Sequence, residues 1–490
     1  MRLGKNLLIY AIADVIAKSM ALLASPFMTR LLTPEEYGSL GLLAAVWTLV
    51  ALFQFGGMEM ACQIFLSKET DDLQRRAILT TATLVATASL MVVWGLFSFA
   101  ALSGPWLENY TKVSRTQLAW YLTGLAPTVL ISWYLYLLRF RHKAIPFART
   151  NLLSKALWSL ILICVLYLIP PRDRLTMLFV VTCVIQGLVW VWALRELKLS
   201  GLWPYSRASF SSDLARNMFK FGVSFIPGAA TYAAVVSADR LIVGWFAGPA
   251  ETAIIQLALN LGSVALMFKM WFSLVWDPNL VEWLATKNPS VYVPKLQLVL
   301  MGLSATFFPL VWLSGVWGDV FVHFLYPSSY MPVVRLLPVI ILIGACSTVA
   351  LVAIATITLD PSPVYYFAVY IFALIITVCV GLSTVPRLGA LGAILGTLSA
   401  ESFILVCWIL RGNFILKNLN LNWRPVFALG GVSGIFILLY RPGVILGQQI
   451  FWERMLMTLV IFGFVAGFGH RIVKRNLPGG WHQLWHVCEG

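Results

Sequence analysis

Eight residues able to carry charge lie deep in stretches that are otherwise apolar: Asp14, Lys18, Glu59, Lys155, Asp239, Arg240, Lys269 and Glu401. A central Asp or Arg costs roughly 2.5–3.5 kcal/mol on membrane-insertion scales, so such residues persist where they face protein or a water-filled cavity. Asp239 and Arg240 adjoin in the far half of 219–247, FKFGVSFIPGAATYAAVVSADRLIVGWFA. That stretch is long enough to cross a bilayer as one helix, with Pro227 and Gly228 near its inner end as a hinge. Two readings stand for the pair: it faces a cavity, or Arg240 snorkels to the outer surface and Asp239 pairs with it. Asp14 and Lys18 are four apart with the acid first, the favourable order for a helical pair, and Lys18 falls near the midplane. They either neutralise each other inside the bundle or serve transport. Lys155 lies some two turns into its helix, at a depth like that of Asp14, so these two can meet. Lys269 and Glu59 are each near enough to an inner end either to reach water or to serve a buried functional role. Glu401 sits roughly 18 Å below Gly389 with no counter-charge on its own helix. It therefore needs a proton or a cation from elsewhere, which makes it the first candidate for proton handling, with Asp14 and Asp239 in reserve.

The elements that position these groups follow from composition. Sixty per cent hydrophobic residues, 11% charged residues and a mean hydropathy of +0.85 describe a polytopic membrane protein. The apolar runs are too long for barrel strands, so the fold class is all-α, integral to the membrane. Fourteen spans are expected, at 7–31, 38–64, 78–103, 117–138, 148–169, 175–194, 219–247, 252–275, 296–317, 333–357, 363–385, 389–410, 424–440 and 451–470. They group as a six-helix lobe (1–196), a cytoplasmic amphipathic linker (197–217), a second six-helix lobe (218–411) and two extra helices with a cytoplasmic tail (412–490). The turn after helix one, Thr33-Pro34-Glu35-Glu36-Tyr37-Gly38, is echoed after helix seven by Gly248-Pro249-Ala250-Glu251-Thr252-Ala253, which suggests two lobes in parallel pseudo-repeat.

With both termini cytoplasmic, 22 Lys and Arg fall in inner segments against 9 outside, as the positive-inside rule requires. Topology thus accounts for the net charge of +15 without nucleic acid. The cluster Arg139-Phe140-Arg141-His142-Lys143 reads as an anchor beside anionic headgroups. The basic start of the chain resembles a signal peptide, but Asp14 and Lys18 interrupt its apolar region, so it is read as a retained first helix. Seven scattered cysteines have no ligand spacing, and His482, His486 and Cys488 lack a fourth ligand, so no metal is expected.

Pro26, Arg30-Leu31-Leu32 and Glu36-Tyr37-Gly38 at the first helix, with Pro227 and Asp239-Arg240-Leu241-Ile242-Val243-Gly244 in the seventh, resemble Wzx-type oligosaccharide and polysaccharide flippases. Tyr330, Leu336-Leu337-Pro338, Pro386, Gly389 and Gly392-Ala393 extend the resemblance over nearly the whole chain. These flippases belong to the multidrug/oligosaccharidyl-lipid/polysaccharide exporter (MOP) superfamily. The resemblance implies two lobes that open alternately to each side of the bacterial inner membrane and turn over an undecaprenyl-pyrophosphate-linked glycan, such as an O-antigen or exopolysaccharide repeat unit. The pyrophosphate needs cations, and Lys18, Lys155, Arg240 and Lys269 are available; the motif residues themselves look mainly structural. Membrane lipids, a polysaccharide polymerase and glycosyltransferases are the expected partners.

The alternative is a drug/cation antiporter of the same superfamily, which needs acids in its cavity. A membrane glycosyltransferase is disfavoured, since no loop exceeds about 25 residues and none has room for a catalytic domain. The chain is therefore read as a transporter and not an enzyme. No cofactor is expected, and no GxxxxGK[ST] motif occurs, so a downstream sink or an ion gradient rather than ATP would drive transport.

Overall fold

The computed structural model describes residues 2–141, 143–199, 210–285, 289–354, 363–415, 421–439, 454–455, 457–461 and 463. Most of the expected fourteenth helix, the C-terminal tail with His482, His486 and Cys488, His142 and residues 200–209 of the 197–217 linker lie outside them. The described residues form helices joined by short turns, with no strand among them. In order these are α1 (Arg2–Leu31), α2 (Pro34–Ala51), α3 (Met58–Lys68), α4 (Asp72–Ser103), α5 (Trp106–Thr111), α6 (Arg115–Phe140) and α7 (Ala144–Leu152). A π-helical turn (Leu153–Leu157) leads to α8 (Trp158–Leu168), α9 (Arg174–Leu199), α10 (Ser212–Val223) and α11 (Ile226–Ala285). The remainder are α12 (Pro289–Leu325), α13 (Val333–Ile354), α14 (Pro363–Leu388), α15 (Ala390–Ile415) and α16 (Arg424–Leu439). Ten helices among the described residues are long and apolar enough to cross a membrane. Their large exposed side chains, among them Phe99, Leu168, Trp245, Phe324 and Val364, suit contact with lipid.

The fourteen drawn spans and the ten long helices differ for local reasons. The expected second span, 38–64, is broken into α2 and α3, because Gly56 and Gly57 adopt φ of +57° and +74°, which no helix accepts. Helices seven and eight run together as α11, interrupted at Gly248 (φ 81°, ψ −175°). A Cβ on Gly248 would meet nothing within 4 Å, so glycine is needed there for its backbone freedom rather than for space. The same helix passes Pro278, where an end was expected, and continues to Ala285. The thirteenth span is the short helix α16.

The chain forms two compact units, Met1–Ala253 and Ile254–Gly490, with the division later in sequence than the 197–217 linker. In unit 1, α1 packs on α7 and α8, α6 on α9, and α3 on α4 and α10. Buried Thr80, Thr81, Thr83, Ala82 and Ala86 line the inner face of α4, as its small-residue composition suggests. The Trp133 indole N–H donates to Thr83 Oγ1 at 3.3 Å. In unit 2, α14 packs on α15, α12 on α13 and α16, and α13 on α15. Gly392 and Gly396 allow the α14–α15 contact: a Cβ on Gly392 would lie 2.6 Å from the Thr384 carbonyl carbon, and one on Gly396 2.9 Å from the Thr377 carbonyl oxygen.

Candidate functional site

The family-like motifs prove to be joints. Thr33 caps α2, accepting from the Glu36 amide at 3.2 Å, while Glu36 Oε2 accepts from the Thr33 amide at 2.8 Å. A Cβ on Gly38 would fall on the Pro249 carbonyl oxygen, and one on Gly244 would collide with Leu42. The Tyr110 hydroxyl donates to the Leu241 carbonyl at 2.7 Å. Glu36-Tyr37-Gly38 and Leu241–Gly244 thus close the same part of unit 1. Asp239 is buried there and serves its own turn: Oδ1 accepts from the Arg240 amide at 2.6 Å and lies 3.7 Å from Arg240 Nε. Arg240 Nη2 also donates to the Val236 carbonyl at 3.3 Å.

Other charges of unit 1 converge on a half-enclosed cavity of about 460 Å³. Helix α1 contributes Asp14 and Lys18, α6 Arg139, α7 Asn151, the π-helical turn Lys155, and α9 Gln186. Buried Ala13 and Ala17 on α1 let that helix approach its neighbours closely, which turns Asp14 and Lys18 toward the cavity. Asp14 has partners on two other helices: Arg139 Nη2 lies 3.4 Å from Oδ2, and Asn151 Nδ2 donates to Oδ1 at 2.9 Å. The Arg139 guanidinium also sits over the Phe147 ring, 4.8 Å from its centroid. Gln186 Nε2 donates to the Ser154 carbonyl at 2.9 Å, and the Trp158 indole N–H to Thr182 Oγ1 at 3.1 Å. Lys155 stands on the π-helical turn, a distortion often found at functional sites, and feels the charges of Asp14, Lys18 and Arg139.

Asp14, Lys18 and Lys155 therefore share one cavity, which Asp239 and Arg240 do not line. Charge and depth alone did not reveal Arg139, Asn151 or Gln186. Arg139 read as a topology anchor, and the two amides carry no charge, although an Asn and a Gln inside apolar runs are a usable signal. Tyr136 borders this cavity and a second one of about 410 Å³ lined by Gln54, Gly57 and Glu59, which opens at the break between α2 and α3. Burial, with Arg76 and Arg75 nearby, holds the Arg141 guanidinium below the ordinary arginine range.

In unit 2, Lys269 on α11 meets α13 and α15. Its Nζ donates to Ser347 Oγ at 2.5 Å, and its charge acts on buried Glu401. The carboxylate that lacks a counter-charge on its own helix thus feels one from another. Among the described residues no cluster of three His, Cys, Asp or Glu could hold a metal.

This architecture is shared with known transporters. A lipid II flippase MurJ in an inward closed conformation is 11% identical over 95% of this chain and 99% of its own, with a TM-score of 0.69. An inward-facing multidrug resistance MATE family transporter of the MOP superfamily is 13% identical over 84% and 98%, with a TM-score of 0.59. The Vibrio cholerae MATE transporter VcmN, as a point mutant, is 12% identical over 86% and 97%, at 0.55. No curated protein sequence matches the chain. The fold is the one seen in these multi-pass membrane transporters. The chain belongs to the polysaccharide biosynthesis protein family, whose match covers residues 3–283.

Proposed function

We propose that this protein is an inner-membrane flippase that carries an undecaprenyl-pyrophosphate-linked oligosaccharide, an O-antigen or exopolysaccharide repeat unit, by alternating access. The observation that supports this most is the unit 1 cavity, where Lys18, Arg139 and Lys155 surround a single carboxylate, Asp14. A pyrophosphate entering a low-dielectric region needs compensating charge, and charge-assisted hydrogen bonds from ammonium and guanidinium groups supply it. Arg139 offers a planar donor fork, whereas Lys18 and Lys155 act as point charges that can follow the moving group. Arg240 and Lys269, the other cations expected to bind substrate, each have an acid close by and take a secondary part in this reading.

Transport is ion-coupled in this proposal, with the Glu401 carboxylate loading a proton and Lys269 balancing its charge when the proton leaves. Asp14 and Asp239 remain the reserve carboxylates. Both termini lie in the cytoplasm, glycosyltransferases supply the substrate and a polymerase consumes it. A drug/cation antiporter would require an acid free to meet a cation, but Asp14 is held by Arg139 and Asn151. Export of lipid-linked glycan, scored with Lys18→Ala, Arg139→Ala and Lys155→Ala at equal protein abundance, tests the reading. Loss of export is expected from each. Normal export from all three, or drug resistance conferred without glycan export, would sink it.

A further inference from the structure

We infer that the second cavity of unit 1, at the break between α2 and α3, receives a protonated amine carried on the sugar of the substrate, with Glu59 as its counter-charge. The inference rests on the flippase reading and narrows its substrate to a zwitterion, a pyrophosphate followed by an amino sugar.

Gly56 and Gly57, both at positive φ, break the run between α2 and α3 and set Glu59 in the first turn of α3. There it lines the cavity of about 410 Å³. The helix dipole favours an acid at that place, yet the N-cap of α3 is a glycine and has no side-chain cap bond. Among the described residues Glu59 has no lysine or arginine at ion-pair distance. Its hydrogen-bond partner is the Tyr136 hydroxyl, which has one proton and serves one oxygen. The other oxygen has no donor among the described residues and is not sealed from the cavity. A half-buried carboxylate with a single neutral donor is a site for a cation.

The walls decide which cation. Trp47, Phe55, Tyr136 and Phe225 line the same cavity, and aromatic faces attract an ammonium group. No second acid lines it, so a metal ion would lack ligands.

The neighbouring cavity decides how the cation arrives. Tyr136 belongs to both walls, and Arg139 follows it by three positions on the same face of α6. Lys18, Arg139 and Lys155 outnumber Asp14 there, so a lone cation is repelled on its way to Glu59. The same three groups attract a pyrophosphate, and an amine attached to it is brought in with the anion. Because the two cavities meet at one side chain, the amine belongs on the sugar next to the pyrophosphate.

The test is equilibrium binding to the full-length protein in lipid nanodiscs at neutral pH. The probes are geranyl pyrophosphate, its adducts with glucosamine, N-acetylglucosamine and glucose, which differ at one sugar position, and tetraphenylphosphonium as a lone organic cation. The wild type is expected to bind the glucosamine adduct about tenfold or more tighter than the other two adducts, the gain of a charge-assisted hydrogen bond. Glu59→Gln should erase that preference and leave the N-acetylglucosamine and glucose adducts within about twofold. Should Glu59→Gln fail to fold, Phe225→Leu, which removes one aromatic face, should shrink the preference by about threefold. Equal wild-type affinity for the three adducts, or a preference unchanged in the variant, overturns the amine site alone. Tetraphenylphosphonium bound as tightly as the glucosamine adduct would make this a site for lone cations and overturn it likewise. A wild type that binds no pyrophosphate probe overturns the flippase reading and the amine site together.

Discussion

Asp14 and Arg139 stand 125 positions apart in the chain, and their side chains come within 3.4 Å at the wall of the unit 1 cavity. The Arg139 side chain is 45% exposed, so the pair contributes only about 0–1 kcal/mol to stability. Arg139→Ala is therefore expected to leave the melting temperature nearly unchanged while glycan export falls by tenfold or more. An export assay beside a thermal melt of the purified variant separates the two. A large drop in melting temperature would make Arg139 a structural residue.

Removing the acid acts in the opposite direction. Asp14→Asn leaves three cations facing a neutral amide, so geranyl pyrophosphate should bind more tightly while export slows at the release step. Binding and export on the same variant check this, and weaker binding contradicts a net-cationic site.

Glu401 and Lys269 predict a paired phenotype. Glu401→Gln keeps shape but cannot ionise, and in vesicles with an imposed pH gradient it is expected to lose gradient-driven transport. Lys269→Met leaves a buried carboxylate without its cation and should lower the melting temperature, which Lys269→Met/Glu401→Leu should partly restore. Wild-type gradient-driven rates in Glu401→Gln would exclude proton coupling through this carboxylate.

Arg454 and Asp319 form a buried ion pair at 2.7 Å, and Trp317 Nε1 donates to Thr458 Oγ1 at 2.9 Å, so Arg454 and Thr458 are tied to α12. Breaking the pair from one side should cost about 3–5 kcal/mol, less where the segment shifts to admit water. Arg454→Met, Asp319→Leu and their combination form a double-mutant cycle. Additive losses would show that the two side chains do not couple.

At the break between α2 and α3, a Cβ on Gly57 would lie 2.3 Å from the Gly222 carbonyl carbon, whereas one on Gly95 would meet nothing within 4 Å. Gly57→Ala should therefore destabilise unit 1, through the contact and through its positive φ. Gly95→Ala, in the middle of α4, should be neutral or stabilising by about 0.5–1 kcal/mol. Thermal melts of the two variants decide it.

The sequence by itself determined the class and much of the depth profile. Long apolar runs admit only helices, and the positions of charges along those runs gave their depth. Glycines also act locally: Gly56-Gly57 breaks the expected second span, and Gly392 and Gly396 permit the close contact of α14 and α15. Which charges meet was a tertiary decision. Asp14 had Lys18 one turn away, and the structure gives it Arg139 and Asn151 from other helices; Glu401 lacked a charge on its own helix and feels that of Lys269 on another. Hydropathy records each residue's preference for lipid or water and so fixes depth, but the rotation of a helix about its axis is set by how neighbouring side chains pack. Asn151 and Gln186 show the limit most clearly. Their types mark them as polar, but only the Asp14 carboxylate and the Ser154 carbonyl, brought by other elements, decide what their amide nitrogens bind.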